Sequence, residues 1–206
     1  MSLFITFEGC DGCGKSTQST MLKRRLLRLS RPVVFIHEPG GTPLGNRIGY
    51  LLKWAKNVSI SPVAELLLFN ASRANLIDEV IGPSLRQGSI VICDRFIDST
   101  IAYQGYGRGL DLSLVRSTCD VAVRGLKPDI TILLDIPVDE GLRRKSKMGN
   151  NDRFEATDIA FHKRVRKGYL DMARNEPDRW FVIDGTQPKD VVKKIIWQKV
   201  SDLIKL

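Results

Sequence analysis

The chain has 206 residues, a formal net charge of +9 at pH 7, 43% hydrophobic residues and 27% charged residues. These values are ordinary for a soluble globular protein, and the length allows one domain or a tightly joined pair with a substantial core. No apolar run approaches the ~20 residues that cross a bilayer, and no charged and apolar leader precedes the first apolar run. The composition therefore excludes a membrane-spanning protein, and we expect a cytoplasmic protein without a membrane partner.

The excess of basic residues is compatible with nucleic-acid binding or with a cleft that attracts polyphosphate ligands. Lys and Arg cluster at residues 23–25, 143–147 and 163–167. The first cluster lies on a predicted helix whose apolar positions face inward, so its charges are interpreted as a solvated face. Because the chain has neither a recognition-helix motif nor an aromatic-rich binding face, we expect no nucleic-acid partner.

Short apolar runs alternate with longer amphipathic stretches along the chain. The predicted strands cover residues 3–8, 33–37, 89–93, 130–135 and 180–184. The predicted helices cover residues 17–29, 43–53, 63–80, 112–124, 138–147, 158–173 and 189–205. This alternation predicts an α/β fold with a five-stranded parallel sheet and helices on both faces. Ligands of such sheets bind beyond the carboxyl ends of the strands, so functional residues are expected directly after each strand.

After the first predicted strand, residues 9–16 match the phosphate-binding pattern G-x-x-x-x-G-K-[ST] at every fixed position, and a predicted helix follows. Glycines let backbone N–H groups turn toward a phosphate, and the helix N-terminus adds the positive end of its dipole. In this pattern Lys15 reaches the β- and γ-phosphates and the Ser16 hydroxyl binds Mg²⁺. An ordinary glycine turn would not explain the lysine and the serine. The predicted ATP phosphate-binding residues are Gly9, Cys10, Asp11, Gly12, Cys13, Gly14, Lys15, Ser16 and Thr17.

Two of the four cysteines, Cys10 and Cys13, form a C-x-x-C spacing inside this loop. Such spacing is compatible with redox chemistry or with half of a metal site. No second Cys or His pair completes a zinc site, so both are interpreted as small loop residues. Oxidation of the pair would still be expected to close the loop and stop activity.

Polar residues also follow the second and third predicted strands, at residues 38–42 and at Asp94 and Arg95. A carboxylate placed like Asp94 in a phosphate-loop protein binds Mg²⁺ directly or through water, so the predicted metal ligands are Ser16 and Asp94. Arg95 offers a rigid fork for a second phosphate, with a structural salt bridge to Asp94 as the alternative. Residues 146–152 are polar and without periodicity, as in an ordinary loop or a lid.

Five segments together resemble the thymidylate kinase family of bacterial type, namely residues 7–18, 38–42, 94–105, 127–129 and 152–155. Each segment is moderately specific, and their order and spacing extend the resemblance over essentially the whole chain. It implies a single P-loop nucleoside monophosphate kinase domain over residues 1–206, with the P-loop kinase fold and a short lid near residues 143–155. It also implies phosphorylation of dTMP to dTDP with Mg-ATP, which supplies dTTP synthesis for DNA replication, and a homodimer.

The resemblance implies roles in the acceptor site. Asp11 matches a carboxylate that contacts the sugar 3′-hydroxyl, Phe69 a ring that stacks on thymine, and Arg73 a guanidinium that reads a carbonyl edge. Tyr103 matches a ring that crowds C2′ and disfavours ribonucleotides. From the residues alone, core packing of Phe69 and a surface charge at Arg73 are favoured, and Tyr103 is also compatible with a core aromatic. The full predicted dTMP site is Asp11, Glu38, Phe69, Arg73, Arg95, Ser99, Thr100, Tyr103 and Gln104.

The family divides by whether its catalytic arginine lies in the phosphate loop or in the lid. The corresponding loop position here is Gly12, so the chain resembles the lid-arginine type, with Arg153 as the chosen residue. An arginine at the transferred phosphoryl group is worth roughly 10³–10⁵ in rate, and Glu155 would orient it or help to hold metal. The predicted lid residues, with a solvated basic loop as the alternative, are Arg143, Arg144, Lys147, Arg153 and Glu155. The predicted catalytic residues are Lys15, Arg95, Arg153 and Asp11.

One position departs from the family. An arginine on the helix after residues 38–42 usually contacts the dTMP phosphate, and here that position is Gly49. Arg47 lies two residues earlier, about 200° around a helix, so it would not simply substitute. Either Arg95 carries more of that phosphate or the helix start is shifted. Arg143 and residues 185–188 resemble adenine contacts of the family.

Two other functions are compatible with the sequence. Another nucleoside or nucleotide kinase would accept thymidine, UMP or CMP, whereas Arg73, Thr100 and Tyr103 fit a pyrimidine that lacks a 2′-hydroxyl. A P-loop ATPase or GTPase, used as a switch or a nucleic-acid module, would hydrolyse nucleotide without an acceptor. The chain lacks the guanine-reading string Asn-Lys-x-Asp, and its acceptor-site residues favour the kinase.

Overall fold

The computed structural model describes residues 2–55, 57–146 and 157–205. Its strands are β1 (Leu3–Glu8), β2 (Val33–His37), β3 (Ile90–Asp94), β4 (Ile130–Asp135) and β5 (Trp180–Asp184). They form one parallel sheet in the order β2-β3-β1-β4-β5. The predicted α/β fold with a five-stranded parallel sheet is confirmed, while the extent of a single domain over residues 1–206 stays a prediction.

Helices surround the sheet, and two π-helical segments, Ile77–Ile81 and Ile101–Gly107, continue two of them. The helices are α1 (Lys15–Arg28), α2 (Pro43–Trp54), α3 (Pro62–Leu76), α4 (Gly82–Arg86), α5 (Ile97–Thr100), α6 (Leu112–Val123), α7 (Val138–Ser146), α8 (Ile159–Asn175) and α9 (Lys189–Leu203). Thr42 and Ser61 cap α2 and α3 by accepting N–H groups of the first turn, and a proline follows each cap. In the described part of the chain, no helix combines the length and apolarity that a membrane span requires.

Alternate residues of each strand face two apolar layers. Leu3, Ile5 and Phe7 of β1 pack in one layer with α1 and α9, whereas Phe4 packs on the opposite face with the end of α3. Helices α6 and α8 complete that second face. Because helices cover both faces, every residue of β1 is buried, and the strand begins with three consecutive apolar residues rather than an alternating pattern.

The region after β3 differs most from the prediction. The strand ends at Asp94, not at residue 93, because Asp94 still pairs with neighbours on β1 and β2. The sequence predicts no helix between residues 94 and 112, yet α5 and the second π-helical segment lie there. Gly105 and Gly107 weaken local helix propensity. Tertiary packing overrides it: a Cβ on Gly107 would lie 2.6 Å from the Phe161 ring of α8, so glycine permits this close approach.

Candidate active site

A cavity of about 720 Å³ opens at the carboxyl edge of the sheet. Its walls come from the loops after β1, β2 and β3, from α3, from the α5 region and from the last turn of α7. The carboxyl ends of parallel strands meet at one edge, so side chains far apart in sequence converge there. The cavity therefore lies where the sequence predicts the functional residues.

The loop between β1 and α1 is shaped to surround an anion. Gly12 and Gly14 have φ angles of 74° and 94°, which favour glycine, and a Cβ on Gly12 would lie 2.1 Å from the backbone oxygen of Gly141. Helix α1 begins at Lys15, so its unpaired N–H groups and positive dipole end lie at the cavity. Lys15 is buried, and its Nζ donates to the backbone oxygen of Cys10 at 3.1 Å. Cavity-lining members of the predicted phosphate site are Asp11, Gly12, Gly14, Lys15, Ser16 and Thr17, and the others, Gly9, Cys10 and Cys13, do not line it.

The loop cysteines are buried free thiols. Burial raises the pKa of the Cys10 thiol to about 12, so the reactive thiolate is disfavoured. Within residues 2–55, 57–146 and 157–205, no group of three or more His, Cys, Asp or Glu side chains is arranged to hold a metal ion. The burial and the raised pKa fit the interpretation of Cys10 and Cys13 as small loop residues.

Ser16 and Asp94 meet at the start of α1, although 78 residues separate them. The Ser16 hydroxyl donates to Asp94 Oδ2, while Asp94 Oδ1 is buried and has no hydrogen-bond partner among the described residues. Mg²⁺ prefers oxygen ligands and keeps several waters and phosphate oxygens, so one or two protein groups suffice. The hydroxyl and the unpaired carboxylate oxygen fit such an ion.

Arg95 pairs with Asp11 rather than with the adjacent Asp94, so the alternative of a structural salt bridge between neighbours is wrong. Arg95 Nη2 lies 2.7 Å from Asp11 Oδ1, and the Tyr103 hydroxyl donates to Asp11 Oδ2 at 2.9 Å. Burial opposes ionisation of Asp11, but the charges of Arg95 and Lys15 outweigh it and hold the pKa of Asp11 well below its usual value. Arg95 has a φ of 72°, which costs a non-glycine residue about 1–3 kcal/mol. These contacts maintain that conformation.

Glu8, which the sequence analysis does not single out, holds the backbone around Arg95. It is fully buried and accepts hydrogen bonds from the Phe96 amide at 2.7 Å, the Ser99 hydroxyl at 2.6 Å and the Tyr169 hydroxyl at 2.9 Å. Burial raises the pKa of Glu8 to about 7. The one available signal was a charged residue that ends an otherwise apolar strand.

Arg73 is buried, so the surface-charge interpretation is wrong. Its Nε donates to Glu38 Oε2 at 2.8 Å, and its Nη1 donates to Asn70 Oδ1 at 3.0 Å. Its Nη2 donates to Thr100 Oγ1 at 2.9 Å. Phe69, one turn earlier on α3, is half-buried and lines the same cavity as Arg73 and Glu38. The structure therefore brings the predicted base platform together with its neighbours.

The segment from α5 into the π-helix carries a row of cavity residues, Ser99, Thr100, Tyr103 and Gln104. Tyr103 combines core packing with a place at the cavity: its ring packs edge-to-face against Phe161 at 6.0 Å, and its hydroxyl reaches Asp11. Its role against ribonucleotides stays a prediction. Gln104 Nε2 donates to Glu65 Oε1 at 2.8 Å. Sequence reasoning missed Glu65, although its spacing of four and eight residues from two predicted site residues places it on their face of α3.

Helix α7 brings basic side chains to the cavity. Arg144 and Lys145 line it, and Arg144 Nη1 donates to the backbone oxygen of Gly185 at 3.1 Å. Arg143 is 62% exposed and does not line the cavity. Outside the described residues lie the predicted lid residues Lys147, Arg153 and Glu155, and their roles stay predictions.

The departure at Gly49 does not come from a shifted helix, so that explanation is wrong. Helix α2 begins at Pro43 as predicted, and a Cβ on Gly49 would lie 2.9 Å from the backbone oxygen of Pro39. Arg47 is exposed and does not line the cavity. Helix α2 instead brings Lys53 to the cavity wall.

Comparisons with known proteins agree with one another. The family model for thymidylate kinase matches residues 7–196. A protein named thymidylate kinase from Dehalococcoides mccartyi is 53% identical over 100% of this chain and 99% of its own length. Another from Deinococcus radiodurans is 46% identical over 97% of each chain. The crystal structure of thymidylate kinase from Ehrlichia chaffeensis matches with a TM-score of 0.74 and 42% identity, over 88% of this chain and 92% of that chain.

Proposed function

Because this chain belongs to the thymidylate kinase family and has its P-loop kinase fold, we propose that it transfers the γ-phosphoryl group of Mg-ATP to dTMP and forms dTDP. The observation that carries the proposal is that the phosphate loop and the pocket around Arg73 line one cavity. The ion pair between Asp11 and Arg95 joins the phosphate-loop part of the cavity to the part around Arg73. A kinase needs donor and acceptor in one site, whereas a nucleotide switch needs only the donor half.

The phosphate loop takes ATP. Loop N–H groups and the N-terminus of α1 receive the β- and γ-phosphates, and the Lys15 ammonium lies beside them. Lys15 then exchanges the backbone oxygen of Cys10 for a phosphate oxygen. Ser16 and Asp94 would hold Mg²⁺, which would neutralise charge on the phosphate oxygens.

The pocket around Arg73 takes dTMP. Phe69 stacks on the base, and Arg73 donates to a base carbonyl oxygen. Asp11 accepts a hydrogen bond from the 3′-hydroxyl, and the Tyr103 ring occupies the space that a 2′-hydroxyl would need. The remaining contacts come from Glu38, Ser99, Thr100 and Gln104.

Arg95 binds the dTMP phosphate. Its Nη1 donates to the Ser99 hydroxyl at 2.9 Å and its Nη2 to Asp11 at 2.7 Å, so the guanidinium plane is fixed before substrate binds. Catalysis then consists of alignment and electrostatic stabilisation, without a covalent enzyme intermediate. Arg153, in the predicted lid, is proposed to stabilise the transferred group, so Arg153→Ala should lower kcat far more than it raises the KM for dTMP. An unchanged kcat with a raised KM would make Arg153 a docking residue.

We also propose a homodimer in the cytoplasm. Helices α2, α3 and α6 pack side by side and expose large apolar side chains, among them Tyr50, Leu67 and Val121. Grouped exposed apolar side chains mark interaction surfaces. Leu67→Glu should convert the dimer to a monomer in sedimentation velocity, while Leu27→Glu, equally apolar and exposed on α1, should not. A dimer that survives Leu67→Glu would contradict this face.

The experiment that tests the reaction measures ADP release by the purified protein with Mg-ATP under reducing conditions. The acceptors, supplied in parallel, are dTMP, dUMP, UMP, dCMP, AMP, GMP and thymidine. Turnover with dTMP, weaker turnover with dUMP and none with the other acceptors would support the proposal. Turnover with another acceptor would retain a kinase and discard the base-reading roles. No turnover with any acceptor would contradict the proposal and favour a nucleotide switch.

A further inference from the structure

The side-chain amide of Gln104 is held in one orientation. Its Nε2 donates to Glu65 Oε1 at 2.8 Å, and Glu65 is 1% exposed. Both Glu65 oxygens also receive N–H groups of Arg108, each at 3.2 Å. A carboxylate only accepts hydrogen bonds, so the NH₂ end of the amide must face Glu65. The carbonyl end, Oε1, therefore faces away from Glu65.

That carbonyl oxygen is an open acceptor in the cavity. Gln104 lines the cavity wall, and no described donor bonds its Oε1. Any ligand atom placed against this oxygen must be a donor.

Arg73 supplies the complementary group. Of its five N–H groups, one bonds Glu38, one bonds Asn70 and two bond Thr100 and the backbone oxygen of Phe96. One N–H on Nη1 is left without a protein acceptor in the described part of the chain. The cavity thus offers a donor from Arg73 and an acceptor from Gln104 to the edge of a base.

We propose that Glu65, together with Arg108, is a positioning residue that makes the acceptor site select thymine and uracil over cytosine by fixing the Gln104 amide. The inference rests on the proposed function and names its source of base selectivity. Thymine and uracil present a carbonyl oxygen beside a ring N–H, which pair with Arg73 and Gln104. Cytosine presents an amino group beside a ring nitrogen acceptor, so like groups would face each other at both positions. A site that leaves its polar groups unpaired rejects the wrong ligand strongly.

The competing explanation is that Glu65 only joins α3 to the π-helical segment. The substitution Glu65→Gln distinguishes the two explanations. It keeps the volume of the side chain at residue 65 but presents either a carbonyl oxygen or an NH₂ group to Gln104. The Gln104 amide is then free to turn and donate to the cytosine ring nitrogen. We expect the KM for dTMP to rise about tenfold with little change in kcat, and kcat/KM for dCMP to rise about tenfold. The ratio of dTMP to dCMP use should fall about a hundredfold, and a lost structural contact alone would not raise use of dCMP.

A double-mutant cycle tests whether Glu65 acts through Gln104. Gln104→Met removes the amide, so adding Glu65→Gln in that background should change the dTMP to dCMP ratio by less than about twofold. Glu79→Gln is the matched control, because Glu79 accepts from the Asn75 amide at 2.9 Å outside the cavity. It should leave the ratio unchanged.

Several outcomes would overturn the proposal. One is an unchanged ratio in a folded Glu65→Gln protein, and another is an effect of Glu65→Gln that persists in the Gln104→Met background. Glu65→Met provides a second, apolar variant, and thermal unfolding is measured for each protein. If neither Glu65 variant folds, the residue is structural and the proposal fails. Lack of dTMP turnover by the wild type would instead contradict the proposed function itself.

Discussion

Arg95 Nη2 lies 2.7 Å from Asp11 Oδ1, and this bond spans 84 residues of sequence. Asp11 belongs to the phosphate loop, whereas Arg95 follows β3. The two meet because β1 and β3 are neighbours: Phe7 pairs with Asp94, which directly precedes Arg95, and Asp11 follows Phe7 by four residues. The donor loop and the proposed ligand of the acceptor phosphate are therefore held in one fixed relation. Alignment of two substrates for in-line transfer requires such a relation.

Lys15→Ala should lower kcat by about 10²–10³, because a charged donor aimed at the transferred phosphate is lost. The fold should persist, since the Lys15 ammonium bonds only its own loop in the described structure. Steady-state kinetics and thermal unfolding check both statements. Arg24→Ala, exposed on the same helix, is the control. Retained turnover in Lys15→Ala would remove the phosphate-loop mechanism.

Asp94→Asn should raise the Mg²⁺ concentration for half-maximal activity about tenfold or more, because the unpaired carboxylate oxygen loses its charge. Titration of Mg²⁺ at saturating ATP measures this, and removal of Mg²⁺ with a chelator should stop turnover of the wild type. Asp190→Asn, on α9, should not alter the titration. If the Mg²⁺ titration curve of Asp94→Asn coincides with that of the wild type, Asp94 is excluded as a metal ligand.

Two Tyr103 variants separate the ring from the hydroxyl. Tyr103→Phe keeps the ring, so exclusion of UMP should persist, while kcat/KM for dTMP should fall about fivefold because Asp11 and Arg95 lose a hydrogen-bond partner. Tyr103→Ala should raise UMP use relative to dUMP about tenfold, since these acceptors differ only at C2′. If Tyr103→Ala gains no UMP activity, the ring serves only the core.

Arg73→Met should lower the free energy of unfolding by about 3–5 kcal/mol, because it leaves the Glu38 carboxylate buried without its counter-ion. Urea denaturation measures the loss. Arg124→Met breaks the ion pair with Asp78, in which both side chains are more than half exposed, and should cost about 0–1 kcal/mol. Equal effects of the two substitutions would mean that Glu38 is not held as a buried charge.

Glu8 should make stability decrease as pH rises toward neutrality. Its folded pKa of about 7 lies above the unfolded value of about 4.3, so between these values the native state binds more protons than the unfolded state. The contribution is fully present below about pH 4 and is lost as pH rises through 7, by up to about 1.4 kcal/mol per pH unit. Glu8→Gln should abolish this slope in urea denaturation from pH 5 to 8, and Glu79→Gln should retain it. If the free energy of unfolding depends on pH in the same way in the wild type and in Glu8→Gln, then Glu8 does not titrate in this range.

The sequence predicted the elements whose signal is local. Residues 9–16 carry the glycines, lysine and serine of the phosphate loop in one contiguous run, so its backbone path follows from neighbouring residues. Apolar runs located four of the five strands to the residue and β3 within one residue at each end. Family resemblance named Arg73 and Tyr103, which composition and spacing alone would have assigned to the surface or the core.

By itself, then, the sequence determined the sheet, its surrounding helices, the phosphate loop and the family, because backbone propensities and apolar periodicity act between residues close in the chain. Only the tertiary structure decided that Glu8 supports the backbone beside Arg95, that Glu65 orients Gln104 and that residues 97–107 are helical. Each of these depends on packing between segments tens of residues apart. Burial there makes a charged or polar side chain take whichever partner the fold brings within reach, and a one-dimensional pattern does not encode that choice.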